Sequence, residues 1–155
     1  MLKTLVVTYT AREGSNTKKL GDHFIETNKD KTEITVVCLA VTPMYNFSLP
    51  GTVKAWFDAI IQLNKTFSFS EQGELLGLLK GRKALSLMTS GSDFSKPPFD
   101  KMDFAIPLIN TCFGFMGVEP TNIHPYGSQD YAENYDKVLV DACKKIDTLS
   151  AEWYN

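Results

Sequence analysis

Three short segments carry residues whose types and spacing suit them to chemistry. The first runs Thr10-Ala11-Arg12-Glu13-Gly14-Ser15-Asn16-Thr17 and stands directly before a helical pattern. A helix start offers backbone N–H groups without intrahelical partners and a partial positive charge, which together hold a phosphate well. Ser15, Asn16 and Thr17 add side-chain donors. Taken alone, the segment is read as plain capping, with Ser15 or Asn16 closing the helix and nothing bound. No GxxxxGK[ST] and no GxGxxG occurs, so neither a P-loop nor a Rossmann dinucleotide site is expected.

The second segment is Pro43-Met44-Tyr45-Asn46-Phe47, at the end of a β-branched run. Flat apolar side chains broken by an amide, with backbone donors between them, suit a heteroaromatic ring that needs hydrogen bonds at its edge. The competing reading is a turn whose aromatics pack on the next helix. The third is Thr89-Ser90-Gly91-Ser92, where small residues let backbone approach a ligand closely. Taken alone, it is a flexible connection. Taken together, a phosphate cradle and two ring-binding loops describe a flavin mononucleotide site.

These loops need a scaffold, and the hydrophobic pattern supplies one. Leu2–Val7, Ile34–Val41, Lys83–Met88 and Thr121–His124 read as strands. Helices are expected at residues 16 to 27, Thr52–Lys65, Met102–Met116 and Asp130–Trp153. The clearest is Thr52–Lys65, with Val53, Trp56, Phe57, Ile60 and Ile61 on one stripe. Thr66–Arg82, with three glycines, reads as a small excursion. Gly117 suits a helix end. Alternation of strand and helix predicts a parallel sheet wrapped by helices on both faces. In such a sheet ligands sit beyond the carboxyl ends of the strands, where all three segments fall.

The chain has 155 residues and a net charge of −2, with acids and bases well mixed. That fits one domain and gives no electrostatic case for nucleic acid or an anionic membrane. No stretch approaches the roughly 20 apolar residues of a membrane helix, and the short apolar start lacks a cleavage site, so a cytoplasmic protein is expected. Cys38, Cys112 and Cys143 form no CxxC pair, which argues for core residues rather than a disulfide or metal site. His23 and His124 read as structural.

Pro43-Met44-Tyr45-Asn46-Phe47, then Pro50, Lys54-Ala55-Trp56, Asp58 and Lys65-Thr66-Phe67, closely resemble the FMN-dependent NADH-azoreductase family, flavodoxin-like relatives of the NAD(P)H quinone reductases. Phe113-Gly114-Phe115-Met116-Gly117 resembles the family's later L-G-F-I-G helix end. Ser15-Asn16-Thr17 with Leu20 resembles its S-x-S-x-x-L phosphate loop. The resemblance covers nearly the whole chain. It implies a single flavodoxin-like domain over 1–155, a doubly wound parallel sheet in three α/β/α layers. It also implies that Thr10, Ser15, Asn16 and Thr17 hold the FMN phosphate. Pro43, Met44, Tyr45, Asn46 and Phe47 would line the isoalloxazine ring, and Thr89, Ser90, Gly91 and Ser92 its other edge. No catalytic side chain is assigned, because the flavin carries the chemistry. The implied activity is ping-pong electron transfer from NADH or NADPH to a quinone or azo acceptor, in a homodimer.

Two departures matter. The family commonly shows S-R-G-G where this chain has Ser90-Gly91-Ser92, which bears on acceptor preference. Family members also carry a further strand–helix unit before the PMYNF stretch. Here Glu33–Val36 runs straight into Val37–Thr42, and a parallel crossover needs a dozen or more residues. Either a deletion has removed that strand–helix unit or a stretch is missing from the chain; the missing stretch, with a break between Val36 and Val37, is the expectation. Two rival functions follow: an FMN electron carrier, which the weak net charge disfavours because carriers dock by charge complementarity, and a shortened paralogue without flavin activity.

Overall fold

A computed structural model describes residues 3–7, 14–37 and 41–154. Thr10 and Cys38 lie outside the described residues. The order is β1 (Lys3–Val7), α1 (Asn16–Asn28), β2 (Glu33–Val37), β3 (Val41–Pro43), α2 (Gly51–Ile60), β4 (Phe67–Phe69), β5 (Leu75–Gly77), β6 (Ala84–Thr89), α3 (Ala105–Phe115), β7 (Pro120–Ile123) and α4 (Tyr135–Tyr154). Single 3-10 turns precede α3 and α4.

The major strands pair in parallel: β1 with β2, β3 with β6, and β6 with β7. Successive residues of a strand face opposite sides of its sheet, and β6 shows what that builds. Leu87 joins Leu20 and Phe24 of α1, Ile123 of β7, and Leu139, Ala142 and Ile146 of α4 in one core. Its neighbour Met88 joins Val53 and Phe57 of α2, Ile109 and Cys112 of α3, and Met116 just past the end of α3 in another. One strand with a core on each face gives the expected three layers, α1 and α4 on one side and α2 and α3 on the other.

No break falls between Val36 and Val37. They are consecutive residues of β2, paired in step with Val6 and Val7 of β1. The next strand, β3 from Val41, pairs instead with β6. The expected break at Val36–Val37 is thus overturned, and the continuous strand there counts against a stretch missing from the chain.

Three helices are shorter than their apolar stripes. The α2 helix stops at Ile60 rather than Lys65. There the Thr66 hydroxyl accepts from Gln62 N at 2.9 Å and donates to Ile60 O at 2.9 Å, turning the chain out of the helix. The α3 helix begins at Ala105, because the Asp103 carboxylate takes the first-turn amides of Ala105 (2.9 Å) and Ile106 (3.0 Å). Pro107 therefore sits in a first turn, where its missing N–H costs nothing. The α4 helix begins at Tyr135, not Asp130, for a reason that belongs to the site.

The excursion at residues 66–82 is an antiparallel hairpin of β4 and β5. Its Gly77 rests on Gly117, the residue that ends α3 with φ 85°, and a Cβ on Gly77 would lie 2.3 Å from the Gly117 nitrogen. Val118 N donates to Phe113 O and Gly117 N to Gly114 O, the paired bonds of a glycine-terminated helix.

Candidate functional site

Thr89, the last residue of β6, joins the three segments. Its hydroxyl lies 2.6 Å from that of Thr17, in the first turn of α1. Its carbonyl accepts from Met44 N at 2.8 Å, just past β3. Thr17, Thr42, Thr89 and Ser90 are all buried. The side-chain contact and the backbone bond therefore fix three separate loops at the carboxyl ends of β3 and β6.

The α1 start has the properties of an anion cradle. Ser15 is its N-cap, and its Oγ accepts from Lys18 N at 3.0 Å. The amides of Asn16 and Thr17 lie too early in the helix to find intrahelical carbonyls. The first turn holds no acidic residue to compete with an anion for them. Capping by Ser15 thus leaves the first two amides of the helix without intrahelical partners.

Residues 45 to 48 form a tight turn closed by reciprocal bonds, Tyr45 N to Ser48 O and Ser48 N to Tyr45 O, both 3.0 Å. Asn46 has φ 45° and Phe47 φ 68°. Asn tolerates this left-handed region; a bulky Phe there is strained, at a cost of roughly 1–2 kcal/mol. Strain of this kind collects at ligand-binding sites. Tyr45 and Phe47 are 44% and 42% exposed, so the turn's aromatics are not spent on packing against the next helix. Phe47 meets Phe94 edge to face at 6.1 Å, and its carbonyl accepts from Phe104 N at 2.9 Å.

The loop after β6 has the opposite character. Its carbonyls are all committed: Ser90 O accepts from Ser128 N (2.9 Å), Gly91 O from Gln129 N (2.8 Å) and Ser92 O from Gly127 N (3.2 Å). The N–H groups of Gly91 and Ser92 have no partner among the described residues. A side chain on Gly91 would press against Gln129, with Cβ 3.0 Å from Oε1. This backbone tie also explains the late start of α4. Residues 127–130 spend their amides on the neighbouring loop and resume helical geometry only afterwards.

Asp93 anchors the tie. Burial alone would raise its carboxyl pKa, but hydrogen bonds from the Ser95 hydroxyl, Tyr131, the Ser95 amide and Lys96 outweigh this and hold it well below the ordinary carboxylate range. A second buried group, His124, follows β7. It stacks on Tyr126 at 3.8 Å between ring centroids, and its Nδ1 lies 3.9 Å from Asp103 Oδ2. Neither ring nitrogen has a hydrogen-bond partner among the described residues. Burial lowers its pKa to about 4, against the opposing pull of Asp103, so the ring is neutral at pH 7. His23 instead pairs with Asp147 across the α1–α4 seam at 2.7 Å. Burial pushes the thiols of Cys112 and Cys143 above their ordinary value, which leaves both poor nucleophiles.

Of the residues expected at the site, Ser15, Asn16, Thr17, Pro43, Met44, Tyr45, Asn46, Phe47, Thr89, Ser90, Gly91 and Ser92 lie on the segments linked by Thr89. Asp93, Gln129 and Tyr131 were not anticipated. Asp93-Phe94-Ser95 does carry a local signal, because an Asp two residues before an amide favours an Asx turn, and Asp93 Oδ1 accepts from Ser95 N at 2.9 Å. Nothing local marks Tyr131 as its partner.

Among the described residues no helix is long and apolar enough to cross a membrane. A family model described as flavodoxin-like fold matches residues 37–149. An FMN-dependent NADH:quinone oxidoreductase of Coprothermobacter proteolyticus is 37% identical over 113 residues, which cover 72% of this chain and 56% of that protein. One from Hydrogenovibrio crunogenus is 40% identical over 87 residues, 56% of this chain and 43% of that protein. The chain thus spans about half the length of the curated relatives it matches. Among solved structures, an azoreductase from Bacillus anthracis str. Sterne superposes with a TM-score of 0.88 at 14% identity, covering 99% of this chain and 100% of that one. An FMN-dependent NADH-azoreductase from Bacillus anthracis str. Ames Ancestor, in complex with FMN, superposes with a TM-score of 0.85 at 20% identity, covering 100% of both chains.

Proposed function

Because the chain belongs to the flavodoxin-like fold family, we propose that it is an FMN-dependent oxidoreductase that passes electrons from NADH or NADPH to a quinone or azo acceptor. The observation that carries this reading is the junction at Thr89, which binds Thr17 at 2.6 Å and Met44 N at 2.8 Å and so brings a phosphate-type cradle and two ring-type loops together. The names of the relatives support the same cofactor, donor and acceptor class.

The residues present fit FMN. Ser15, Asn16 and Thr17, with Thr10 from the same segment, would hold the phosphate at the positive end of α1. Pro43, Met44, Tyr45, Asn46 and Phe47 would line the ring. Thr89, Ser90, Gly91 and Ser92 would meet its other edge, with the Gly91 and Ser92 amides as donors. FMN, when bound, would supply two-electron chemistry between a nicotinamide donor and a quinone or azo acceptor. The protein's part would be to orient and to exclude water: the Gly91 and Ser92 amides would favour negative charge at the ring edge they meet, and the exposed rings of Tyr45 and Phe47 would offer the acceptor a flat apolar wall. No side chain is assigned as acid or base. A homodimer in the cytoplasm completes the proposal, in keeping with the exposed aromatics at the loop tips.

The test is the absorption spectrum of the protein loaded with FMN, before and after anaerobic NADH. Rapid bleaching of the flavin bands is expected. Bands that persist would point to an electron carrier, and a protein that takes up no FMN would overturn the proposal.

A further inference from the structure

The loop that offers the Gly91 and Ser92 amides is built from Ser, Gly and Ser, residues with high freedom in the unbound chain. An unbraced loop of this composition would have to be ordered by its ligand, which weakens binding. The structure instead orders it from behind. Besides the three carbonyl bonds from residues 127–129, the loop is pinned at its far end by Asp93, whose own N–H donates to Asp130 Oδ2 at 2.8 Å. The Asp93 carboxylate, 8% exposed, collects four donors. Oδ1 accepts from Ser95 N (2.9 Å) and Ser95 Oγ (2.5 Å). Oδ2 accepts from Tyr131 OH (2.6 Å) and Lys96 Nζ (3.1 Å). Lys96 also donates to Tyr131 OH and sits 5.1 Å from the centre of its ring. Tyr131 can fold back this far only because residue 127 is glycine: φ there is 77°, and a Cβ would stand 2.5 Å from the Tyr131 ring.

We propose that Asp93, Tyr131 and Lys96 form a brace that positions the Ser90–Ser92 backbone for the flavin ring. They are positioning residues; they act through the loop and touch no reacting atom. The inference rests on the flavin-site reading, and it adds a specific claim: the order of this loop is imposed before the ligand arrives, by side chains outside the ligand's contacts. Charged-group hydrogen bonds are the strong ones, and a single buried carboxylate gathers four of them here.

Two variants test the brace, each with two readouts. Asp93→Asn keeps the side chain's size but removes the charge and one acceptor; Tyr131→Phe keeps the ring and removes its hydroxyl. Amide hydrogen exchange without ligand reports on the Ser128 and Gln129 N–H groups, and fluorescence titration gives the Kd for FMN. Asp93→Asn should lose protection at Ser128 and Gln129 selectively, leave protection in β6 and α4 intact, and raise the FMN Kd about tenfold. It should also alter the visible circular dichroism of the bound flavin, because one edge of the ring is held differently. Tyr131→Phe should do the same more weakly, about threefold in Kd, since Lys96 still faces Asp93. Unchanged protection, or lost protection with unchanged affinity and flavin spectrum, in both variants would overturn the brace. Uniform loss of protection across the chain in both would show a folding role only and equally overturn it. If the wild-type chain takes up no FMN, the proposed function fails, and exchange at Ser128 and Gln129 judges the brace by itself.

Discussion

The loop at residues 45–48 and the loop at residues 90–92, both proposed to meet the flavin ring, are held by opposite means. The first is a self-contained turn with two bonds across its own neck, left-handed backbone at two non-glycine residues, and aromatic side chains in solvent. The second is made of small residues, Ser90 buried and Gly91 and Ser92 half-buried, with its carbonyls and its end held by a different part of the chain. Local strain fixes one; distant hydrogen bonds fix the other. A backbone can therefore be made rigid for a ligand at the expense of its own torsions or at the expense of a neighbouring segment's freedom. In the second case the neighbour, residues 127–131, gives up the first turn of a helix.

The contrast can be broken from several sides. The largest effect concerns His124, which lies beside Asp103 at the start of α3, whose Phe104 amide supports the strained turn. Its pKa in the fold is about 4 against 6.5 unfolded. Between those values the unfolded chain binds more protons, so stability is full above pH 6.5 and declines as pH falls toward 4. The loss is roughly 3 kcal/mol at about 1.4 kcal/mol per pKa unit. Urea unfolding at a series of pH values measures it, and His124→Phe should flatten the curve. The Asp93 brace should survive this window, because a carboxylate held below its ordinary range gives up its stabilisation only as pH falls through its folded value.

Next comes Gly127→Ala. It forces a side chain into left-handed backbone and against the Tyr131 ring, and should cost about 2 kcal/mol, read as a shift in the urea midpoint. A smaller effect tests the junction between the loops. Thr17→Val removes the hydroxyl that lies 2.6 Å from the Thr89 hydroxyl, buried on both sides. The orphaned partner should cost about 1–2 kcal/mol, and a double-mutant cycle with Thr89→Val should recover part of it.

The smallest stability effect sharpens the comparison most. Phe47→Gly relieves the left-handed Phe while giving up a half-exposed ring, so stability should change by about 0 to +1 kcal/mol. The FMN Kd should nevertheless rise by roughly tenfold. A clear loss of stability would show that the turn is not strained.

Much of this was legible in the sequence. β-branched runs and a 3.6-residue stripe located the strands and helices, and the small or aromatic residues after each strand marked the loops. What failed was the placement of ends. The stripe of α2 continues through Ile61, yet the helix stops at Ile60 because the Thr66 side chain claims the polar groups of its last turn. Asp103 and residues 127–130 likewise displace the starts of α3 and α4. Periodicity reports which face of a helix is buried; it is blind to a single side chain or neighbouring loop that outbids the helix for its amides. For the same reason Ser90, Gly91 and Ser92 could be named from sequence, while Tyr131, 38 residues from Asp93, could not.

The central claim is that three loops make one flavin site, and titration of FMN with the purified protein tests it most directly, by following flavin fluorescence. The account predicts saturable binding of one FMN per chain, weakened by Thr17→Val and by Asp93→Asn although these changes lie on different loops. Failure of the wild-type chain to bind FMN at any concentration, or binding indifferent to both substitutions, would contradict it.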